Sequence, residues 1–273
     1  MTAQSIPSGA IAAPRPADRR LAGLGALLRK DVTEWMRGRR GWVVAVVTIA
    51  FMTLTAANSW IVSQLAATVP PDASEALAVV GMDPLQNLLA AVGAQVFVLA
   101  TILTVGSLVV AERQAGTLAW VASKAVSRQS IWLSKWISAT GMIALTAVVT
   151  PLALTVALVV ALYGPVDPVV VAALAVGMIA IVTFYAAVGI LAGTVLTSQV
   201  GVVGVGFGVF ALLPIVGALL PAEAAAILPT SMLPWAAGLA SGMPAPWITP
   251  VAFAITVAAI VTIGLRRIER IEL

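Results

Sequence analysis

Side chains that commonly carry out chemistry are scarce in this sequence. It contains 15 basic and 11 acidic residues but no histidine and no cysteine. Histidine is the commonest general base and metal ligand, and cysteine supplies thiolates and disulfides, so these chemistries are excluded. No G-x-x-x-x-G-K-[ST] pattern occurs, so the chain binds no ATP through a P-loop. We therefore expect no catalytic residue, metal site or cofactor in this chain, and we expect it not to be an enzyme.

The charged residues lie in a few blocks that separate long apolar segments. Mean hydropathy is +1.07, and 61% of the residues are hydrophobic while only 10% are charged. Soluble domains have about 25% charged residues, and here the polar surface is too small to cover a water-soluble globule. The composition predicts an all-α integral membrane protein whose elements lie mostly in lipid.

Charge-free windows long enough for a helix of roughly 20 residues indicate six transmembrane helices. The predicted spans cover residues 41–66, 85–111, 136–162, 168–196, 199–220 and 249–265 of a domain running from 41 to 265. The window from 168 to 222 must hold two spans, with a break near Thr197-Ser198-Gln199. Four prolines between 222 and 248 predict an external interfacial or partly re-entrant segment there, because a straight helix does not tolerate that density.

Six spans place all 15 basic residues on one side of the membrane. Eight precede the first span, four lie between the second and third, and three follow the last. The loops on the other side carry only acids, which are Asp72, Glu75, Asp83, Asp167 and Glu223. The positive-inside rule then predicts a multi-pass protein of the cytoplasmic (inner) membrane with both termini in the cytoplasm: a disordered tail at 1–20 and a C-terminus at 266–273. Nucleic acid is not needed to explain the basic pI.

Two segments on the basic side have their own pattern. Residues 21–40 place apolar side chains at helical spacing, with Arg29, Lys30 and Arg37 largely opposite, which predicts an interfacial helix with its cations towards lipid phosphates. The alternative is a simple orientation signal. Residues 112–135 predict a short helix up to Ser123, and a second helix that is capped by Ser127 and enters span three. The alternative is a solvated loop.

The loop pattern resembles ABC-2 type transporter permeases. The matching letters are E-x-x-x-G-T-L, S-x-x-V-S-R and K, which here are Glu112, Gly116-Thr117-Leu118, Ser123, Val126-Ser127-Arg128 and Lys135. Arg29-Lys30-Asp31, Glu34 and Arg37 resemble the elbow helix of the same family. One departure is Ala125, where the family often has proline. The resemblance extends from about residue 21 over nearly the whole chain.

The resemblance implies a membrane subunit of an ABC transporter, docked on a cytoplasmic ATPase that binds ATP and Mg. It also implies a second permease, either another copy or a related chain, and mostly export. The residues it assigns to ATPase coupling are Glu112, Gly116, Thr117, Leu118, Val121, Ser127, Arg128 and Lys135. Those it assigns to the elbow helix are Arg29, Lys30, Asp31, Glu34 and Arg37. The sequence does not single out a substrate, although the lack of charge inside the spans favours a hydrophobic or amphipathic one.

Several local interpretations stay open at this stage. Glu112 is expected to pair with Arg113 or Lys124, or to hold the elbow helix through its cations. Arg128 and Lys135 are expected to pair with acids of the ATPase or with lipid phosphate. Glycines at 189/193 and 204/208 have a spacing that allows close helix packing within one subunit or between two. Other functions that remain are a non-transport membrane scaffold, an immunity-type protein, a permease serving metal-cofactor maturation and, least supported, an intramembrane enzyme.

Overall fold

A computed structural model describes residues 21–66, 68, 93–117, 126–240 and 242–270. These residues are helical or lie in short turns, and none of them forms a strand. The predicted tail at 1–20, most of the predicted external loop near 68–84, and Leu118 and Val121 of the predicted coupling loop lie outside the described residues.

The helices follow one another with short connections. In chain order they are α1 (Leu24–Arg37), α2 (Arg39–Ala66), α3 (Gly93–Gln114), α4 (Arg128–Ile143), a π-helical turn (Ala144–Val149), α5 (Thr150–Tyr163), α6 (Pro168–Val195), α7 (Gln199–Leu219), α8 (Ala222–Ala225), a 3-10 turn (Pro229–Ser231), α9 (Met232–Ala240) and α10 (Ile248–Glu269). Among the described residues, six helices are long and apolar enough to cross a membrane. The predicted all-α architecture with six spans is thereby confirmed.

The third span is a continuous helix from Arg128 to Tyr163 that includes α4, the π-helical turn and α5. Its 36 residues extend over about 54 Å, whereas the hydrocarbon core of a bilayer is about 30 Å thick. The helix therefore projects beyond the membrane. The charged residues of α4, at Arg128 and Lys135, lie in its first turns, so the projecting part is the N-terminal one.

Helix α6 is the centre of the bundle. It carries no charged side chain, and more than half of its residues are buried. Gly189 and Gly193 face Val105 and Val109 of α3, where a Cβ atom would lie only 2.8 and 3.0 Å from the valine side chains. These two glycines therefore serve helix packing inside one subunit.

The proline-rich segment folds back on α6. Pro221 precedes α8 and Pro229 begins the 3-10 turn. At the start of a helical turn the backbone N–H has no partner within the turn, so its absence in proline costs nothing. In α9, Ala236 is fully buried, and its Cβ lies 2.9 Å from the position that a Cβ of Gly177 would take. The segment 222–240 is therefore packed on protein along one side.

Helix α1 lies against α4 on the side of the molecule where α3 ends and α4 begins. It buries one narrow face, formed by Leu27, Asp31 and Trp35 at four-residue spacing, while Val32 and Met36 are exposed. Gly38 takes an extended conformation and ends the helix before α2 begins. An acid on an otherwise apolar buried face needs a partner, and the partner lies on α4.

Candidate functional site

Three helices bring five charged side chains together at one end of the bundle. Helix α1 contributes Lys30, Asp31 and Glu34, the last turn of α3 contributes Glu112, and the second turn of α4 contributes Lys135. We call these five residues the ion cluster. The bonded pair Asp31 and Lys135 is separated by 104 positions in the sequence, so only the packing of α1 on α3 and α4 creates the cluster.

Lys135 is the central residue of the ion cluster. Its Nζ donates to Asp31 Oδ1 at 2.7 Å and to Glu112 Oε1 at 2.7 Å. Lys30 Nζ donates to the same Glu112 oxygen at 2.9 Å and lies 3.8 Å from both Asp31 and Glu34. Every helix in the cluster is thus joined to the other two by a charge-assisted hydrogen bond, the stronger kind of hydrogen bond in proteins.

The ion cluster is graded from buried to exposed. The side chains of Asp31 and Lys135 are 7% and 8% exposed, that of Glu112 is 17% exposed, and those of Lys30 and Glu34 are 45% and 70% exposed. Burial by itself lowers the pKa of Lys30, but its hydrogen bond to Glu112 and the three nearby carboxylates outweigh burial and raise that pKa above its usual 10.5. The Lys30 ammonium therefore stays charged at physiological pH.

Three carboxylates and two ammonium groups leave one negative charge in excess. Asp31 Oδ2 is buried and has no hydrogen-bond partner among the described residues. It lies beside a cavity of about 400 Å³ that Trp35, Arg39, Glu112 and Lys135 also line.

Oxygen atoms of Asp31, Glu34 and Glu112 lie within 4.8 Å of one another, as in a metal site. Lys30 Nζ already lies within 3.8 Å of all three, so an ammonium takes the place a metal ion would need.

The segment that follows the loop is fixed at several points. Ser127 caps α4 by accepting a hydrogen bond from the Ser130 backbone N–H, and its own N–H donates to the Ala22 carbonyl at 3.1 Å. Arg128 Nη1 donates to the Glu269 carbonyl at 2.9 Å, and Gln129 Nε2 donates to the Glu269 carboxylate at 2.6 Å. The start of α4 is therefore tied both to the residues before α1 and to the last turn of α10.

The segment that precedes the loop turns sharply after α3. Gly116 has a φ of +69°, a conformation that glycine adopts without strain, and the Thr117 hydroxyl donates to the Glu112 carbonyl at 3.1 Å. No atom lies within 4 Å of the position that a Cβ of Gly116 would occupy. Gln114 Nε2 donates to the Thr197 carbonyl in the turn between α6 and α7 at 3.1 Å. This end of the loop is therefore exposed but anchored.

The structure brings together only part of the predicted site. Lys30, Asp31, Glu34, Glu112 and Lys135 meet in the ion cluster. The remaining predicted residues within the described ranges lie around it: Arg29 and Arg37 exposed on α1, Gly116 and Thr117 before the loop, and Ser127 and Arg128 after it.

The structure corrects one expectation about charge pairing and selects among the alternatives of another. Lys135 was expected to pair with the ATPase or with lipid phosphate, but it is buried and pairs within the subunit because Asp31 and Glu112 neutralise it. Of the partners considered for Glu112, Lys30 of α1, a cation of the predicted elbow helix, is the one observed. Gln129 and Glu269 were not predicted, and no motif marks them.

Comparison with known proteins decides the family. A family model described as ABC-2 family transporter protein matches residues 25–263. The chain belongs to the ABC-2 transporter family. No curated protein matches it. This ABC-2 protein is therefore a multi-pass transmembrane permease of an ABC transporter, and the domain it consists of is a membrane transport domain rather than an ATPase. Members of the family typically work with an ATPase subunit.

Proposed function

We propose that this permease is the membrane half of an ABC exporter, driven by a separate cytoplasmic ATPase that acts on the loop between α3 and α4. The ion cluster is the observation that carries the proposal. It joins the two helices that enter and leave this loop, through Glu112 and Lys135, and it fastens α1 to both of them.

A soluble motor can move membrane helices only through a stiff element that protrudes from the membrane. The first turns of α4 protrude because the continuous helix from Arg128 to Tyr163 is longer than the bilayer is thick. Two hydrogen bonds of 2.7 Å from Lys135 prevent α4 from sliding past α1 and α3. A push on the loop therefore displaces the ends of α1, α3 and α4 as one unit.

Charged groups suit this purpose better than apolar contacts do. A buried ion pair is strongly destabilised when one partner leaves, because the other charge stays behind in a low-dielectric environment. The ion cluster therefore fixes the relative position of the three helix ends, and the energy of ATP binding is directed into their common movement.

The π-helical turn from Ala144 to Val149 offers a place where the third span can change its direction. Such turns interrupt the regular hydrogen-bond ladder, are frequent at functional sites and are a known cause of helix kinks. The Thr48 hydroxyl of α2 lies 3.5 Å from the Thr146 carbonyl within this turn. We propose that movement of α4 relative to α5 is taken up here, between the ion cluster and the far side of the membrane.

Export and a second permease subunit are supported by family membership and by the exposed apolar helices of this subunit. Members of the resembled family mostly export, and the described spans carry no charge in the membrane interior that would serve an ion-coupled mechanism. Helices α7 and α10 bury few of their residues inside one subunit. Their exposed apolar sides leave room for lipid and for a second permease, either another copy or a related chain.

The coupling residues Leu118 and Val121 remain predictions, since they lie outside the described residues. Gly116 provides a sharper test. Gly116→Asp adds a charge and side chain at an exposed turn with positive φ, while Gly164→Asp makes the same change at φ +99° in the turn between α5 and α6. Neither glycine has an atom within 4 Å of its Cβ position. The two turns lie on opposite sides of the membrane in a six-span topology.

The complex of permease and ATPase would be reconstituted in vesicles, and permease-dependent ATP hydrolysis would be measured. We expect Gly116→Asp to lower it at least ten-fold and Gly164→Asp to change it less than two-fold. Equal activity of both variants would contradict coupling through this loop. Failure of the wild-type chain to bind any P-loop ATPase would favour a scaffold function instead.

A further inference from the structure

A second cavity runs between α2 and α3, and it shares Arg39 and Arg40 with the cavity beside the ion cluster. It has a volume of about 580 Å³ and is lined by one face of each helix. On α2 these residues recur every three or four positions from Arg40 through Val44 and Val47 to Phe51, and on α3 they do so from Val96 to Thr104. We call this the α2–α3 groove.

The α2–α3 groove matches one leaflet of a bilayer in length. Eleven residues separate Arg40 from Phe51, which corresponds to about 17 Å along a helix. One leaflet contributes about 15 Å of the roughly 30 Å hydrocarbon core. Val43, Val47 and Leu103 are 59%, 42% and 56% exposed, so the walls are apolar and open to lipid.

The charges of the α2–α3 groove lie at one end only. Arg39 and Arg40 begin α2 and line the groove, whereas its other lining residues are uncharged. The only polar one among these is Thr104, whose hydroxyl donates to the Ala100 carbonyl at 2.5 Å within α3. A ligand that fits this arrangement has an anionic head and an apolar tail of about one leaflet in length.

We infer that the α2–α3 groove binds an anionic phospholipid of the leaflet that Arg39 and Arg40 face. The phosphate contacts the two guanidinium groups, which bind phosphate in a planar, bidentate manner, and one acyl chain lies along Val43, Val47 and Phe51. This inference depends on the membrane location of the spans and not on the proposed ATPase coupling.

A helix from a second copy fits the α2–α3 groove poorly. Close helix contacts in membranes use small residues, yet only Ala100 and Thr104 of the eleven lining residues are small, and the others are valine, leucine, phenylalanine and arginine. A single acyl chain requires no such close approach.

Photo-crosslinking of lipid to the purified full-length chain tests the inference. The chain would be placed in phosphatidylcholine vesicles containing phosphatidylglycerol with a photoreactive group in its acyl chain, and the labelled peptides would be identified by mass spectrometry. We expect labels within 43–51 and 96–104, and competition by unlabelled phosphatidylglycerol but not by phosphatidylcholine. Each arginine near a membrane surface contributes about five-fold in affinity. The double variant Arg39→Gln/Arg40→Gln should therefore weaken labelling about 30-fold.

Two matched controls distinguish a site from general charge attraction. Arg266→Gln/Arg267→Gln removes the same charge from the end of α10, where both residues are exposed, and should change labelling of the groove less than three-fold. Val47→Trp fills the groove and should abolish labelling, while Ile255→Trp on the exposed side of α10 should not. Equal effects of the two arginine pairs, or equal competition by both lipids, would overturn the inference. So would efficient disulfide formation between copies carrying Val47→Cys, because it would place a second subunit in the groove.

Discussion

Removing the Lys135 ammonium is the strongest test of whether the ion cluster stabilises the folded permease. In Lys135→Met the aliphatic stem remains, but Asp31 and Glu112 lose their shared hydrogen-bond donor. Asp31 is 7% exposed and its second oxygen already has no partner among the described residues, so the half-exposed Lys30, 3.8 Å away, is the counter-charge that it keeps. Breaking a buried ion pair in this way costs about 3–5 kcal/mol.

Lys30→Met is the matched control within the same cluster. It also removes one ammonium from Glu112, but the Lys30 side chain is 45% exposed, and exposed pairs contribute only about 0–1 kcal/mol. One kcal/mol shifts the Tm of a chain of this size by roughly 2–4 °C. We therefore expect a loss of roughly 6–20 °C for Lys135→Met and of less than about 4 °C for Lys30→Met.

The assay is thermal unfolding of the purified permease in detergent, followed by tryptophan fluorescence and by retention of the monodisperse gel-filtration peak. The double variant Lys135→Met/Asp31→Asn removes the stranded charge and should recover most of the loss, since a buried pair exchanged for neutral groups is often close to neutral. Equal stability of Lys135→Met and Lys30→Met would refute the reasoning. Simple addition of the two single losses in the double variant would refute it as well.

Three further predictions concern packing, capping and topology. A Cβ on Gly206 would lie 2.6 Å from Ile102, so Gly206→Ala should destabilise by about 1–3 kcal/mol, whereas Gly204→Ala on the same helix meets no atom within 4 Å and should leave Tm unchanged or raised. Ser127→Ala removes the N-cap of α4 and should cost about 1 kcal/mol, measured as a fall in Tm of roughly 2–4 °C. A single cysteine at Glu75 should react with an impermeant reagent only from outside the cell, and one at Gln114 only from the cytoplasm. Labelling of Glu75→Cys from the cytoplasm alone would contradict the six-span topology.

The number of spans could be predicted because charge-free windows depend on local composition. The burial of Lys135 could not be predicted in this way. The Ser127 cap, and the helix that runs from it into the third span, were predicted and are confirmed, but no local feature indicated that Lys135 within this helix is buried. The burial depends on Asp31, which is 104 positions away, and no local pattern reveals such a pairing.

The packing partners of the two glycine pairs could not be predicted from the sequence either. Both pairs have the spacing that permits close packing, yet Gly189 and Gly193 contact valines of α3, while Gly204 and Gly208 face open space. The four-residue spacing of the glycines can be read from the sequence. Which residue lies opposite each glycine depends on tertiary packing and cannot. For the same reason Glu269, which holds the start of α4 through Gln129, could not be found from the sequence.

We propose that this ABC-2 permease depends on ATP hydrolysis by a separate subunit. The most direct measurement compares ATP hydrolysis by the purified chain alone with hydrolysis by the chain reconstituted with its P-loop ATPase. We predict no hydrolysis by the chain alone, and activity in the complex that Gly116→Asp uncouples and Gly164→Asp does not. Robust ATP hydrolysis by the isolated chain, free of other proteins, would contradict the account.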